Sequence, residues 1–154
     1  MSIHYNHPRY GPQKALRDDL LPTELAWFAG FVDGEGCLGI YENKGERFLG
    51  QLIVTNTDPL PIETIKGFYK CGVDFRVNKR NYKNAVNWRP LYTINIPQRF
   101  LLETLSALLP YLRNKKTQAS IMMNYLVTRY TGEYPLNHKV FRDYAQDISV
   151  EKVA

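Results

Sequence analysis

Apolar residues recur with two different periods along the chain, and each period predicts a different kind of element. The segment from Glu24 to Asp33 is apolar around almost the whole helical circumference, which predicts a buried helix that Thr23 caps. Segments 37–43 and 47–56 instead alternate with a period of two, which is typical of strands that have one buried side. A short turn separates them, so the pattern predicts a helix followed by a β-hairpin.

The second part of the chain repeats this order of elements. Asp58 and Pro59 begin a helix that Gly72 ends, and alternating strands are expected at 75–82 and 91–96. Further helices are expected at 99–109, 116–130 and near 140–146. Two hairpins, each preceded by a helix, predict an α+β fold in which helices cover one face of an antiparallel four-stranded sheet.

Each predicted strand has an apolar side and a polar side. The inward-facing residues are expected to be Leu38, Ile40, Phe48, Leu52, Val54, Phe75, Val77, Tyr92, Ile94 and Ile96. Because side chains alternate across a strand, the helices must cover the apolar sides, and the polar sides share one open face. This open face is the candidate nucleic-acid surface.

Charge supports that interpretation. The chain carries a formal net charge of +5, and the segment from Phe75 to Leu102 contains basic residues but no acidic ones. Its basic residues are Arg76, Lys79, Arg80, Lys83, Arg89 and Arg99, and aromatic and asparagine residues lie between them. Such a stretch suits phosphates and base edges, which favours nucleic acid over the alternative of a solvated basic face without a partner.

Composition limits the class of protein. A chain of 154 residues with 44% hydrophobic residues is long enough for one globular domain, expected at 23–130 between an N-terminal arm or capping segment at 1–22 and a helical extension at 131–154. No apolar run is long enough for a membrane span, and no signal peptide opens the chain. We therefore expect an intracellular protein, in a prokaryotic cell or an organelle, that is not secreted. Its two cysteines are expected to be buried thiols.

The segment Asp33-Gly34-Glu35-Gly36 places two acids where the first helix meets the first strand. The helix before it has small residues on one face, which would let two backbones approach closely. Carboxylates beside a basic surface can bind a divalent cation, and such a cation next to a phosphodiester is a common means of hydrolysing it. The alternative is an ordinary helix end that carries two exposed acids.

The peptide FAGFVDGEG at 28–36 resembles the signature of the LAGLIDADG homing endonucleases. The predicted order of elements resembles the αββαββα plan of that family, and LPYLRNKKTQA at 109–119 resembles the segment that carries its active-site lysine. The resemblance covers 24–130. It implies a saddle-like four-stranded sheet and a DNA endonuclease.

The resemblance also implies roles for single residues. Glu35 and the carbonyl of Gly34 would hold Mg²⁺, for which Mn²⁺ or Ca²⁺ could substitute in binding, and Lys115 would neutralise the scissile phosphate. Asn56 would order water in the active site. The outward strand residues implied to contact double-stranded DNA are Tyr41, Asn43, Arg47, Gln51, Arg76, Asn78, Arg80 and Tyr82.

A single signature implies a homodimer that cuts both strands of a long, near-palindromic target, as intron-encoded members of the family do. The implied dimer interface is Ala26, Ala29, Gly30 and Asp33, with Asp33 as a helix-capping, structural acid. No membrane and no small-molecule substrate are expected. Two features depart from the family: Glu35 replaces the commoner aspartate, and the segment TDPLPIE after Asn56 lacks a second basic residue. The alternatives are an inactive relative that serves as a splicing maturase or regulator, and a basic protein that binds ribosomal RNA or protein.

Overall fold

A computed structural model describes residues 11–43, 47–78, 89–131 and 138–153. Its elements, in chain order, are α1 (Pro22–Glu35), β1 (Gly36–Asn43), β2 (Arg47–Asn56), α2 (Pro59–Gly67), β3 (Asp74–Asn78), β4 (Leu91–Ile96), α3 (Gln98–Leu108), α4 (Lys116–Thr131) and α5 (His138–Val153). The first seven follow the order αββαββα, and α4 and α5 are added at the C-terminal end. The predicted α+β fold is therefore confirmed.

The sheet has the strand order β1-β2-β4-β3, and all of its pairs are antiparallel. β2 and β4 lie at the centre and join the two halves of the chain, with Leu52 opposite Ile96. β1 and β3 are the edge strands. Because the register keeps alternate residues on the same side across all four strands, one period-two pattern determines both faces of the sheet.

The inner face of the sheet forms the core together with the helices. Leu38, Leu52, Val54, Ile94 and Ile96 are completely buried, and completely buried residues of α2 and α3 contribute to the same cluster. Burial of a large aliphatic side chain stabilises a fold by roughly 1.5–3 kcal/mol, so this layer is a main source of stability.

One inward prediction is wrong. Val77 is 48% exposed, although it alternates correctly with Phe75 along β3. β3 is a short edge strand, and only the nine-residue helix α2 packs against its inner side to any extent. Phe75 lies against Tyr92 of β4, whereas Val77, one residue before the end of the strand, is left at the margin of the core.

Several element boundaries differ from the predicted ones because capping contacts determine them. α1 begins at Pro22, and the carboxylate of Glu24 accepts the N–H of Leu21 at 3.0 Å, so Thr23 is inside the helix rather than its cap. α2 ends at Gly67, five residues before the predicted stop, and Gly72 adopts a φ of 78° in the turn that leads to β3. α5 is longer than predicted.

The described part of the N-terminal segment, residues 11–21, packs onto the helices. Ala15 and Leu16 are buried, and their N–H groups donate to Oε1 of Glu103 in α3 at 2.7 and 2.8 Å. Leu16 also forms an isolated β-bridge with Tyr69. Residues 15 and 16 therefore belong to the packed body of the fold, and residues 1–10 of the predicted arm lie outside the described residues.

Helix α5 runs antiparallel to β1 along the edge of the sheet. Arg142 pairs with Glu42 at 3.1 Å near one end, and Nζ of Lys152 lies 3.4 Å from Sγ of Cys37 near the other. Cys37 and Cys71 are both exposed, so the prediction of buried thiols is wrong. Among the described residues, no helix is both long enough and apolar enough to cross a membrane.

Candidate nuclease site and nucleic-acid surface

The chain passes from α1 directly into β1, and the exposed residue Glu35 is the last residue of the helix. The N–H of Gly36 donates to the carbonyl of Val32. A Cβ at position 36 would lie 2.7 Å from that carbonyl oxygen, so only glycine fits this turn without a shift of the backbone. The tight turn holds the carboxylate of Glu35 at the surface, at the negative end of the helix dipole.

Asp33 connects this helix end to a segment that is distant in the sequence. Its Oδ2 accepts the N–H of Arg113 at 2.7 Å, and its Oδ1 accepts the N–H groups of Asn114 at 3.2 Å and Lys115 at 3.0 Å. These amides belong to the turn immediately before α4, where N–H groups have no partner within the helix. Asp33 therefore caps this turn within its own chain.

Lys115 lies at the same helix end as Glu35. Its Nζ donates to the backbone carbonyl of Asp33 at 2.6 Å, and the side chain is partly buried. The last turn of α1 contains no basic residue, so Lys115 supplies the cation that the helix dipole favours there. The structure thus brings together Glu35 and Lys115, two of the predicted catalytic residues.

Asn56 approaches the same region at the end of β2. Val54 pairs with Gly36, so Asn56 extends about 7 Å further, to the level of the last turn of α1. Its Oδ1 accepts the N–H of Asp58 at 2.8 Å. This bond uses one lone pair of the amide oxygen, and the amide N–H groups remain available to water in the active site.

The oxygen ligands at this helix end fit a hard cation in type but not in number. Among the described residues, no group of three or more His, Cys, Asp or Glu side chains could hold a metal. Mg²⁺ and Ca²⁺ take at least six oxygen ligands, and the carboxylate of Glu35 with the carbonyl of Gly34 supplies only part of such a set. The remaining ligands would have to come from water, from phosphate or from a second copy of the chain.

The outer face of the sheet carries several of the predicted DNA contacts. Gln51 pairs with Gly39, and Arg76 and Asn78 pair with Thr93 and Leu91, so the register puts their side chains on this face. Arg76 and Asn78 are exposed. The backbones of Asn43 and Arg47 pair across the first hairpin, and Arg80 and Tyr82 lie outside the described residues.

Tyr41 also lies on this face and is 42% exposed. A Cβ at position 39 would lie 2.5 Å from its hydroxyl oxygen, so the ring occupies the space above Gly39 that a larger residue would fill. Partial burial raises the pKa of the Tyr41 hydroxyl, and the neighbouring Cys37 raises this pKa further by a smaller amount. The ring therefore lies along β1 as a neutral group.

A stripe of small residues lies on the exposed side of α1. Ala26, Gly30 and Gly34 are exposed and recur every four residues, and a Cβ on either glycine would meet nothing within 4 Å. One of the predicted interface residues is corrected. Ala29 is completely buried against the core of its own chain, since it shares the inner side of the helix with Phe28 and Val32. The carboxylate of Asp33, another of these residues, bonds to the turn before α4.

Comparison with known proteins identifies the architecture. No family model and no curated sequence matches the chain. Among solved structures, the homing endonuclease I-CvuI in complex with the I-CreI target matches with a TM-score of 0.66 at 24% identity, over 84% of this chain and 82% of that one. I-CvuI bound to its own target gives a TM-score of 0.67 with the same identity and coverage. The meganuclease I-SmaMI, bound to DNA, matches with a TM-score of 0.51 at 19% identity over 79% of this chain and 41% of that one.

The chain has the LAGLIDADG homing endonuclease fold.

Within this homing endonuclease fold, three polar residues lie at the centre of the outer face that were not among the site residues predicted from the sequence. The hydroxyls of Thr55 and Thr93 lie 3.2 Å apart, and Oδ1 of Asn95 is buried without a hydrogen-bond partner among the described residues. The period-two pattern of β2 and β4 was the signal for all three. In contrast, Arg99 belongs to the basic stretch in sequence but lies in α3, where it donates to the carbonyl of Gly72.

Proposed function

We propose that the chain is a homing-type endonuclease that binds double-stranded DNA and hydrolyses both strands at a specific site with the help of a divalent metal ion. The observation that carries this proposal is the position of Lys115. A cation from the turn before α4 is hydrogen-bonded to the end of the helix that presents Glu35. A carboxylate and an ammonium group at one helix end, beside an open polar sheet, suit phosphodiester hydrolysis better than binding alone.

DNA recognition is assigned to the outer face of the sheet. A β-sheet can enter the major groove, and arginine and asparagine side chains match the donor and acceptor patterns of guanine and adenine. The exposed side chains of Arg76 and Asn78 provide these groups. The structures of I-CvuI and I-SmaMI are DNA complexes, which supports the same kind of partner for this chain.

The active enzyme is proposed to be a homodimer. Each chain supplies one exposed acid at the end of α1, and a second chain is one source of the ligands that a complete metal site still needs. The stripe of Ala26, Gly30 and Gly34 offers a surface on which α1 of a second copy could pack closely. A two-fold dimer would put both copies of Glu35 near one duplex, which suits a near-palindromic target and a double-strand break.

In the proposed reaction, Glu35 and the carbonyl of Gly34 hold Mg²⁺, and Mn²⁺ or Ca²⁺ could occupy the same ligands. The structures of I-CvuI were determined with Mg or Ca. When bound, the metal ion supplies an activated water molecule for in-line attack and charge stabilisation for the leaving 3′-oxygen. Lys115 neutralises charge that develops on the scissile phosphate, and Asn56 orients water through its amide nitrogen. An intron-encoded gene and an intracellular location accompany this proposal.

A second candidate is a relative that binds DNA or RNA without cleaving it, as a maturase or regulator. The observation that favours it lies in the first turn of α2. Leu60, which is 65% exposed, lies in the segment after Asn56 where a second basic residue is missing. Without that basic residue, Lys115 would carry a larger share of charge neutralisation at a phosphate, which disfavours cleavage.

The test uses a library of randomised duplex targets incubated with the protein in Mg²⁺ and, separately, in EDTA. The proposal expects one enriched, near-palindromic sequence that is cut in both strands only when Mg²⁺ is present. Glu35→Gln should select the same sequence by binding in Ca²⁺ without cutting it. Specific binding without cleavage by the wild-type protein would support the second candidate. The absence of specific binding to duplex DNA would overturn the nuclease proposal and would leave the second candidate only as an RNA-binding protein.

A further inference from the structure

We propose that Asp33 is a positioning residue of the cleavage reaction, whose contacts hold Lys115 at the scissile phosphate. This inference rests on the proposed function and extends it. The resemblance to the family gave Asp33 a structural role at the interface between two signature helices. The contacts within one chain indicate a different role, because the hydrogen bonds of its carboxylate lead to the turn that carries Lys115.

The geometry fixes Lys115 at two points. Its N–H donates to Oδ1 of Asp33 at 3.0 Å, and its Nζ donates to the carbonyl of the same residue at 2.6 Å. The N–H groups of Arg113 and Asn114 extend the contact to the whole turn. The backbone and the ammonium group of Lys115 are therefore both hydrogen-bonded to Asp33, which lies two positions before Glu35 in α1.

The carboxylate of Asp33 is also engaged by this turn. Oδ2 accepts one N–H group and Oδ1 accepts two, and bonds from backbone amides to a charged acceptor are among the stronger hydrogen bonds in proteins. A metal ion on this carboxylate would compete with these three bonds. Asp33 therefore contributes by holding Lys115 in place, and Glu35 remains the acid for metal binding.

The consequence concerns the rate of cleavage rather than affinity. Bonds between segments about 80 residues apart connect the turn that carries Lys115 to α1, so the loss of the Asp33 carboxylate would free the turn to move relative to Glu35. A misplacement of about 1 Å in a catalytic group can lower a rate by about 100-fold. The sheet face that binds DNA does not depend on this turn.

Glu103 offers a matched control. It is also a carboxylate that accepts N–H groups from a distant segment, those of Ala15 and Leu16, but it holds the N-terminal segment rather than the site. Glu103→Ala should lower the melting temperature by an amount similar to that for Asp33→Ala. Cleavage by the two variants is measured well below both melting temperatures. Any difference between them then reflects the position of Lys115 and not general stability.

The experiment measures single-turnover cleavage of the selected target in Mg²⁺ and binding of the same DNA in Ca²⁺. We expect Asp33→Ala to cleave about 100-fold more slowly with little change in Kd, and Glu103→Ala to cleave at the wild-type rate. Asp33→Asn keeps an oxygen that can accept from Asn114 and Lys115, so it should recover much of the loss. On a Lys115→Met background, Asp33→Ala should add almost nothing, because both changes remove the same contribution.

Additive effects of Asp33→Ala and Lys115→Met, or an equal loss of rate in Glu103→Ala, would overturn the positioning role. Hydrogen exchange at the amides of residues 113–115 provides a readout that does not require cleavage. Exchange should accelerate in Asp33→Ala and not in Glu103→Ala, and unchanged exchange would also refute the inference. If exchange accelerates but the wild-type protein cuts no target, the proposed nuclease function has failed and the role of Asp33 in catalysis fails with it.

Discussion

The end of α1 and the outer face of the sheet use polar residues in opposite ways. At the helix end, Asp33 and Lys115 are held by short hydrogen bonds, and Glu35 is exposed. On the outer face, Arg76 and Asn78 project into solvent from a regular register. Catalysis requires groups held in fixed positions before the reaction, whereas recognition of bases can use side chains that order on binding. The comparison indicates that cleavage and binding can be changed separately.

The largest expected effect is on the metal-binding acid. Glu35→Gln keeps the size of the side chain and removes its charge, so cleavage in Mg²⁺ should be abolished while the Kd for DNA in Ca²⁺ stays within about threefold of wild type. The control is Asp19→Asn, an exposed acid on the N-terminal segment, which should change neither quantity. A Glu35→Gln protein that cuts at nearly the wild-type rate would contradict the metal assignment.

Gly30→Leu should reduce cleavage almost as much as Glu35→Gln, because it disturbs the proposed dimer interface. A Cβ at position 30 meets nothing within the chain, so folding of the monomer is unaffected or slightly favoured by the better helix former. A leucine on the stripe would force two copies of α1 apart, and overpacking typically costs about 1–3 kcal/mol or more. We expect loss of cleavage and of the dimer in analytical ultracentrifugation.

The matched control for this prediction is Gly67→Leu, at a helical glycine in α2 whose Cβ position is equally open but which is not on the stripe. This variant should keep the dimer and its activity. If Gly30→Leu remains a dimer and cleaves normally, the stripe is not the interface.

Removal of the active-site cation should slow cleavage without preventing binding. Lys115→Met is expected to lower the single-turnover rate by about 100-fold, since the loss of one donor aimed at transition-state charge typically costs about 100- to 1,000-fold. Lys116→Met removes the same charge from the exposed neighbouring residue and should be nearly silent. Equal effects of the two substitutions would indicate that only the local charge matters.

The smallest effects are expected on the outer face. If Arg76 contacts a phosphate, Arg76→Ala should reduce the slope of log binding constant against log salt concentration by about one unit. The rate at which bound DNA is cleaved should not change. If it reads a guanine, specificity at one base pair should relax at a cost of about 1–3 kcal/mol. Lys66→Ala, on the helical side, is the control for charge. If Arg76→Ala shows neither effect, β3 is not part of the binding surface.

The sequence predicted the fold well because periodicity is a local signal. Alternation along β1, β2 and β4 identified both faces of the sheet, and it also contained Thr93 and Asn95, which lie on the outer face. The prediction that Val77 faces the core was wrong because alternation indicates only the side of the strand on which a residue lies. Burial depends on how far the helices extend over an edge strand.

The candidate site was predictable in its residues but not in its connections. The resemblance placed Glu35 and Lys115 in the active site, and the structure brings both to one helix end. It could not show that Asp33 holds the turn before α4 or that Ala29 is buried in the core. Both facts depend on contacts made in three dimensions, between segments that no local pattern relates.

In the proposed mechanism, each chain contributes one exposed acid at the end of α1, so cleavage of both strands would require two chains on one duplex. Native mass spectrometry of the protein on its selected target in Ca²⁺ measures this stoichiometry directly. We predict a complex of two copies of the 154-residue chain with one duplex, and cleavage of both strands when Mg²⁺ replaces Ca²⁺. A complex with one chain that still cuts both strands would contradict the account.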